Sequence, residues 1–517
     1  MVSGPDAALG SLKEVPDHQR RQMVSGMRWT LWLSAVSVPF SYGTTILLAR
    51  TSPEAIGTYG LLTVYIGVVL GLFYLGGDAV AIKFIPELDA EKRLSFLCSY
   101  FLIVCLALLP WLAVAAIWPQ KLHYLFGEQS SESFLLLLLI LSPLSMLASL
   151  VGAALKGMLD IGWAQLLARL VTVGSFLVYA TLFVAFRAWF AHSYAEVIWW
   201  TYLILCALSA VLGLQRLLRI NGWRTAWHSP RFFLPRGFWH YTLSLQQLSA
   251  LGFFTGRLDA VLILNFGNLA LLGEYVALIT LAESIRLISR FFIDTLLPSL
   301  TNMIATQNLA GASAVFKTHM RILFLANTAS TCGLILLARP ITALLGPKYS
   351  GLAPLVVLLA LFVGLSSPCA IAGALLSSIG KQQRAVGVAV GQIVLYLVLF
   401  FFLWPRWQLT GAVVAYGVAW VVSNFLYFEV AKAHSPFAIS ITREYAVFGA
   451  IATAAALVAR KGEIGLAGGL LAWIVTIGLF LFMARYKINE CKELIHFFLP
   501  LKSASRFLSA RPKSPLD

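Results

Sequence analysis

Long apolar runs alternate with short polar segments along almost the whole chain. An apolar run of about 20 residues is long enough to cross a bilayer as a helix. We place these runs at 29–49, 56–76, 94–118, 133–155, 163–186, 195–215, 238–264, 271–297, 319–338, 352–377, 385–404, 409–431, 444–459 and 464–484. The pattern predicts an all-α polytopic membrane protein with about 14 transmembrane helices.

Basic residues are distributed unequally between the two sides of this arrangement. With the N-terminus in the cytoplasm, 26 of the 38 Lys and Arg residues lie inside, 8 lie outside and four lie within spans. Because cytoplasmic loops carry an excess of Lys and Arg, we expect both termini in the cytoplasm. Twelve spans plus two poorly inserted helices would give the same sidedness.

One connection is longer, more basic and more aromatic than the others, and we interpret it as a linker along the cytoplasmic interface. It separates the sixth span from the seventh, which divides the chain into two lobes. The predicted units are a cytoplasmic N-terminal tail at 1–28, an N-terminal lobe of spans one to six at 29–215, the basic linker at 216–237, a C-terminal lobe of spans seven to twelve at 238–431, spans thirteen and fourteen at 432–484, and a basic cytoplasmic tail at 485–517.

The two lobes contain an internal sequence repeat. Residues Ile56–Gly60 (IGTYG) resemble Leu272–Val276 (LGEYV), 216 positions later. Three further pairs keep the same order at offsets between 212 and 223. An offset of six spans gives the halves the same orientation, related by an axis along the membrane normal. Such a repeat predicts two pseudo-symmetric six-helix lobes around a central cavity, with alternating access if the lobes rock.

Composition agrees with a membrane protein and excludes several other classes. The chain is 59% hydrophobic and 12% charged, with a mean hydropathy of +0.83, whereas soluble proteins are about 25% charged. The net charge of +16 lies in loops and tails, which indicates anionic lipid headgroups rather than nucleic acid as partners. The six cysteines show no metal-ligand spacing, so we expect neither a metal nor a cofactor.

The eighth span carries four charges well inside its ends. Glu283, Arg286, Arg290 and Asp294 follow one another at spacings of 3, 4 and 4 residues, which places them on one helical face. Charges at membrane depth usually face protein or water. They could be internal ion pairs that make the helix insertable. Alternatively, the arginines bind an anionic substrate group while the carboxylates hold or tune them, because guanidinium donors match phosphate oxygens.

Three further charges lie at depth in other spans. Arg257 and Asp259 in span seven are two residues apart, so they should point to different sides and not pair. One is expected to face the cavity and the other a neighbouring helix. Arg169 belongs to a polar stripe along span five, for which helix–helix hydrogen bonding is the alternative explanation.

Asp78 and Lys83 close span two in the segment GGDAVAIKFIPE, where the glycines and Pro86 are expected to break the helix. One interpretation is an interfacial cap with a lysine that extends to the headgroups. The other is a cytoplasmic gate that faces Arg290 and Asp294 across the pseudo-symmetry axis.

Several segments resemble the MOP exporter superfamily, and within it the polysaccharide transporter family of oligosaccharide-lipid flippases. They are LLARTSPEAIGTYGLLTVYIG, FIPELDAEKR, RLDAVLILNFGNLALLGEYVAL, DTLLPSL, LLGPKYSGLAPLVVLLAL, SSIGKQQRA and TGAVVAYGVAW. The resemblance covers about residues 29 to 484. It implies two six-helix lobes around a cationic central cavity, with two extra helices at the C-terminus.

The resemblance also implies an activity. The family moves an undecaprenyl-diphosphate-linked oligosaccharide to the outer face of the bacterial plasma (inner) membrane, for O-antigen, capsule or exopolysaccharide synthesis. The diphosphate would be the partner of Arg286, Arg290 and Arg257. H⁺ or Na⁺ coupling at Glu283, Asp259 or Asp294 is an open alternative, and a polysaccharide polymerase and a chain-length regulator are candidate partners.

Three alternatives remain open at this point. A drug or toxin antiporter of the same superfamily would favour a cavity of net negative charge. The deep charges here are four arginines against three carboxylates, which favours an anion. A peptidoglycan-precursor flippase is a close variant. A membrane glycosyltransferase or ligase would need a large external loop for its catalytic site, and the short loops argue against an enzyme.

Overall fold

The protein is built from helices, and the residues described contain no strand. A computed structural model describes residues 33, 36–117, 132–221, 232–305, 307–379, 381, 383–461 and 466–483. The first seven helices are α1 at 36–51, α2 at Pro53–Val68, α3 at Asp78–Glu87, α4 at Ala90–Ile117, α5 at Glu132–Gly157, α6 at Ile161–Ala185 and α7 at Arg187–Asn221. The others are α8 at Phe238–Phe266, α9 at Leu269–Ala305, α10 at Leu309–Leu336, α11 at Ala338–Leu345, α12 at Ala353–Ser366, α13 at Ile371–Ser378, α14 at Arg384–His434, α15 at Thr442–Lys461 and α16 at Leu466–Met483.

The predicted second span corresponds to α2 and the turn that follows it, and a break at its end separates it from α3. Ser52 caps α2 by accepting a hydrogen bond from the Ala55 amide at 3.1 Å. A π-helical turn at Val69–Phe73 follows α2, and the chain then passes through positive φ at Leu75, Gly76 and Gly77 before α3 begins. Glycine adopts positive φ without steric cost, which explains why the break falls at this pair.

The long helix α14 folds back on itself and supplies two of the predicted spans. Its backbone leaves helical geometry at Gln408, with φ of 41°, three residues after Pro405. Tyr396 and Tyr416 line the same small cavity, although a straight helix would separate them by about 30 Å. The runs at 385–404 and 409–431 are therefore two antiparallel segments.

The outer surfaces of the helices are apolar. Val184, Leu471 and Phe482 expose 83%, 65% and 81% of their surface, which is costly in water and favourable in lipid. In the described part of the chain, nine helices are long and apolar enough to cross a membrane, or up to ten if the bent pair α10–α11 counts as one span. The chain is a multi-pass membrane protein, and the exact number of fourteen spans stays a prediction.

The helices form two compact units. The second consists of Ser284–Pro340, Ala360–Gln382 and Asn424–Asp517. Inside it, Trp473 of α16 donates a hydrogen bond to the Ala329 carbonyl of α10 at 2.6 Å. The first consists of Met1–Glu283, Ile341–Leu359 and Gln383–Ser423. The predicted lobe boundaries stay a prediction, and the predicted tails at 1–28 and 485–517 lie outside the described residues.

Within the first unit, α2 and α9 cross where the sequence repeat is clearest. A Cβ atom on Gly57 would overlap the Leu269 carbonyl oxygen, and one on Gly273 would overlap the Pro53 carbonyl oxygen. One on Gly60 would lie 2.6 Å from the Val276 side chain. Gly57 and Gly273 are equivalent positions in the repeat, and so are Gly60 and Val276. Contacts between equivalent positions are what a two-fold axis between the two halves produces, and small residues allow this close approach.

Candidate functional site

The break between α2 and α3 is held by a side chain from the other half of the repeat. Gln246 of α8 donates hydrogen bonds to the carbonyls of Gly71 and Leu72, at 2.9 and 2.7 Å. Its Oε1 atom accepts a hydrogen bond from the Gly76 amide at 3.0 Å. Buried backbone groups that a helix break leaves without helical partners need such hydrogen bonds.

A second side chain closes the other side of the break. The Tyr100 hydroxyl of α4 lies 3.0 Å from the Tyr74 carbonyl and 2.9 Å from the Leu75 carbonyl. Tyr100 is fully buried, and its ring stacks on that of Phe96. The break is thus a fixed feature of the first unit, with polar support from α4 and α8.

Arg257 lies on α8 beside this break. Its Cγ atom is 3.4 Å from the place where a Cβ on Gly67 of α2 would stand, and the residue is exposed. Phe253, one helical turn earlier, packs against Gly71 in the π-helical turn. The Arg257 side chain therefore lies at the contact between α2 and α8, near the break that separates α2 from α3.

Asp259 follows two residues later and faces the opposite way. It is only 6% exposed, and its carboxylate accepts a hydrogen bond from the Tyr275 hydroxyl of α9. Tyr275 in turn packs edge-on against Tyr416 of α14. The structure separates Arg257 and Asp259, as their spacing indicates, and their roles stay predictions. Sequence reasoning missed Tyr275 because nothing local connects it with Asp259.

A small cavity adjoins the Asp259 carboxylate. It has a volume of about 10 Å³, which is about the space that one water molecule needs. Gln392, Tyr396 and Trp420 are among the α14 residues that line it. The Tyr396 hydroxyl is buried with no hydrogen-bond partner in the described part of the chain. A buried polar group of this kind usually has an ordered water or an ion as its partner.

Within the described residues, the cavity beside Asp259 is not part of a metal-ligand cluster. Among the residues that the structure describes, no group of three or more His, Cys, Asp or Glu side chains is placed to hold a metal ion. What the cavity offers is one carboxylate with neutral oxygens around it, a set that suits a proton, a water molecule or a small cation.

Asp78 and Lys83, the predicted gate, have other partners in the structure. Asp78 forms an ion pair of 3.6 Å with Lys156 at the end of α5 and accepts a hydrogen bond from Tyr74 at 3.2 Å. The Lys83 ammonium lies 4.0 Å from the ring centre of Tyr241 in α8. These contacts tie α3 to α5 and α8, and sequence reasoning found neither. The gate stays a prediction.

The four charges of the eighth span lie on one continuous helix, α9. Glu283 and Arg286 are half-buried. The side chains of Arg290 and Asp294, including their predicted part in the gate, lie outside the described residues. Arg169 is half-buried on α6. The helical spacing therefore holds for the backbone of all four α9 positions, and the phosphate-binding role stays a prediction.

Known structures share this fold. No protein-family model and no curated protein matches the sequence. A structure described as the lipid II flippase MurJ in an inward closed conformation matches with a TM-score of 0.67, over 91% of this chain and 98% of that chain, at 14% identity. An inward-facing multidrug resistance MATE family transporter of the MOP superfamily matches with a TM-score of 0.57, over 77% and 94%, at 12% identity.

An outward-facing MATE transporter of the same superfamily also matches, with a TM-score of 0.53 over 80% of this chain and 94% of that chain, at 14% identity. The fold of the chain is therefore the one that these flippase and transporter structures have. This confirms the expected all-helical transporter fold. The narrower polysaccharide transporter family stays a prediction.

Proposed function

We propose that the protein flips a lipid-diphosphate-linked oligosaccharide across the bacterial inner membrane by alternating access, for surface polysaccharide synthesis. The observation that carries this proposal is the placement of Arg257. Its exposed side chain lies beside a broken helix, where the two halves of the repeat meet. Its neighbour Asp259 is buried and hydrogen-bonded to Tyr275, so this carboxylate does not neutralise it.

An arginine in this position suits a diphosphate. Its planar donors match phosphate oxygens and it stays charged at every physiological pH. Substrate sites of many transporters lie beside discontinuous helices. In the proposal, Arg257 binds the headgroup, and the sequence assigns the same role to Arg169, Arg286 and Arg290; we call these four residues the headgroup arginines. Glu283 and Asp294 are the carboxylates that tune their charge.

Asp259 is the proposed coupling residue. A buried carboxylate with a water-sized cavity and an orphaned tyrosine hydroxyl beside it can bind and release a proton or a sodium ion at little structural cost. The Tyr275 hydrogen bond links this event to α9, the helix that carries Arg286. The proposal includes both ions, and they are distinguished by whether flipping responds to an H⁺ gradient or to an Na⁺ gradient.

The proposal specifies the diphosphate group of the substrate but not the identity of its glycan. A polyprenyl diphosphate is common to O-antigen-type carriers and to peptidoglycan precursors, and the proposed site recognises that shared group. The fold likeness to a lipid II flippase keeps a peptidoglycan precursor as the alternative cargo. In the proposal both termini are cytoplasmic, and a polysaccharide polymerase and a chain-length regulator act on the flipped product.

The test compares two arginine variants in proteoliposomes that contain a fluorescent polyprenyl-diphosphate oligosaccharide. Arg257→Gln should lower the flipping rate by about tenfold or more, the effect of losing a charge-assisted hydrogen bond. Arg406→Gln is the matched control, since Arg406 is exposed and stacks on Phe402 of its own helix. Equal rates for the wild type and Arg257→Gln would remove Arg257 from the proposed site.

A further inference from the structure

A second, larger cavity lies in the first unit, away from Arg257 and Asp259. It occupies about 520 Å³ where α1 ends, beside the turn between α6 and α7 and the segment that follows α11. Arg50, Arg187 and Lys348 come from these three places and all line it. We call this cavity the three-cation pocket. Its size falls within the range of about 300–1,000 Å³ that is usual for small-molecule sites.

The charge of the three-cation pocket has one sign. Its lining contains no Asp or Glu, and in the described residues none of the three cations forms an ion pair with a carboxylate. All three side chains are exposed, so solvent reaches them. Glu54 and Glu274 lie close enough to act on Tyr349 in the wall of the pocket, but neither lines the cavity, so the lining itself is positively charged and attracts an anion.

Two of the three cations are held in place by other contacts. The Arg50 Nε atom donates a hydrogen bond to the Leu344 carbonyl at 2.9 Å, which leaves its terminal nitrogens for another acceptor. The Arg187 guanidinium lies 5.3 Å from the ring centre of Phe183, a side chain that also lines the pocket. Binding an anion here would therefore cost less side-chain conformational entropy than binding at a surface with flexible side chains.

The membrane topology that the charge bias predicts makes this cluster of three basic residues unexpected. The charge bias assigns the ends of these helices to the less basic side of the membrane, which holds only 8 of the 38 Lys and Arg residues. Three of those eight meet in one pocket. Basic residues on this side do not help orient the chain, and a bound anion gives a physical reason for bringing three of them to one cavity.

We propose that the three-cation pocket binds a phosphate or diphosphate group, presented either by a lipid headgroup or as a free anion. Two arginines and a lysine supply donors suited to several phosphate oxygens at once. Because the pocket contains none of the proposed headgroup arginines, it is a second anion site. Its existence does not depend on the flippase proposal.

The experiment measures binding of inorganic pyrophosphate to the full chain in nanodiscs of zwitterionic lipid, by calorimetry. The wild type should bind saturably, and more weakly as salt is raised. Arg187→Gln and Lys348→Gln should each weaken binding about tenfold. Arg406→Gln, an arginine stacked in the same way on Phe402, should bind as the wild type does. Non-saturable binding by the wild type, or equal losses in Arg406→Gln, would overturn the proposal.

Two additions make the result specific. Arg187→Lys keeps the positive charge and should recover most of the affinity, which a folding defect would not allow. A short-chain prenyl diphosphate is then compared with pyrophosphate: tighter binding of the prenyl compound identifies a lipid headgroup, and equal binding identifies a free anion. If neither depends on Arg187 or Lys348, the proposed site is wrong. A failure of the Arg257 experiment would leave these binding results standing.

Discussion

At the scale of single residues, Arg257 and Asp259 show how two adjacent charges acquire different surroundings. Two residues along a helix turn a side chain by about 200°, so one charge points toward α2 and the other toward α9 and α14. Asp259 ends in a buried site with Tyr275. Tyr275 is 16 residues away on the next helix, whereas the α14 residues around Asp259 lie far along the chain, at 392–420, so no local pattern in the sequence encodes this environment.

Asp259→Asn should remove the response of flipping to an ion gradient. The amide keeps nearly the same shape but cannot exchange a proton or hold a cation by charge. We expect the variant to flip at one rate with and without an imposed H⁺ or Na⁺ gradient, whereas the wild type accelerates with one of them. Tyr275→Phe keeps the carboxylate but removes its hydrogen bond to α9, so this variant should respond more weakly than the wild type. An undiminished gradient response in Asp259→Asn would eliminate Asp259 as the coupling residue.

Arg286→Ala and Arg290→Ala should each abolish polymer export while the protein still inserts into the membrane. The reason is the loss of a guanidinium that would bind the lipid diphosphate. Export is measured as surface polysaccharide in a strain that depends on this chain, and insertion as protein recovered in washed membranes. Normal export by both variants would exclude a phosphate-binding role for α9.

At the scale of elements, the break at the end of the second span is a feature that the sequence predicts in part. The GGD segment indicates an interruption near Asp78, and the structure places it at Leu75–Gly77. Pro86, which could have been the cause, stays inside α3. The support from Gln246 could not be predicted, because a glutamine 170 residues away becomes a neighbour only through packing of α8.

Gln246→Ala should destabilise this break. It would leave the Gly76 amide and two carbonyls without their partner, at a cost of about 1–3 kcal/mol for each buried group left unsatisfied. The expected result is a lower thermal unfolding temperature of the detergent-solubilised protein. Gln247→Ala is the matched control, because Gln247 is exposed on the same helix. A stability equal to that of the control would mean that Gln246 does not support the break.

The crossing of α2 and α9 gives a second prediction at this scale. Gly57→Ala places a Cβ atom against the Leu269 carbonyl, and backbone cannot yield as a flexible side chain does. We expect a loss of about 1–3 kcal/mol in stability, as for other overpacked sites, together with slower flipping. Gly252→Ala is the control, since a Cβ there would meet nothing within 4 Å. Equal behaviour of the two variants would show that the crossing is not tightly packed.

At the scale of the whole molecule, the lengths of the apolar runs predicted the helices but not the contacts between them. Each of the fourteen predicted spans overlaps a helix, because runs of apolar residues report helix length directly. The repeat also indicated which positions are equivalent, and Gly57 and Gly273 meet in the structure. The Asp259 cavity, the Asp78–Lys156 ion pair and the three-cation pocket each join distant segments, so they depend on tertiary packing that periodicity does not contain.

The central claim is that the cargo is a lipid diphosphate rather than a hydrophobic cation. The most direct measurement is transport by the purified protein in proteoliposomes, with a fluorescent polyprenyl-diphosphate oligosaccharide in one set and ethidium in another. Our account predicts protein-dependent flipping of the lipid, slowed by Arg257→Gln, and no ethidium transport. Transport of ethidium against a gradient, with no flipping of the lipid, would contradict it.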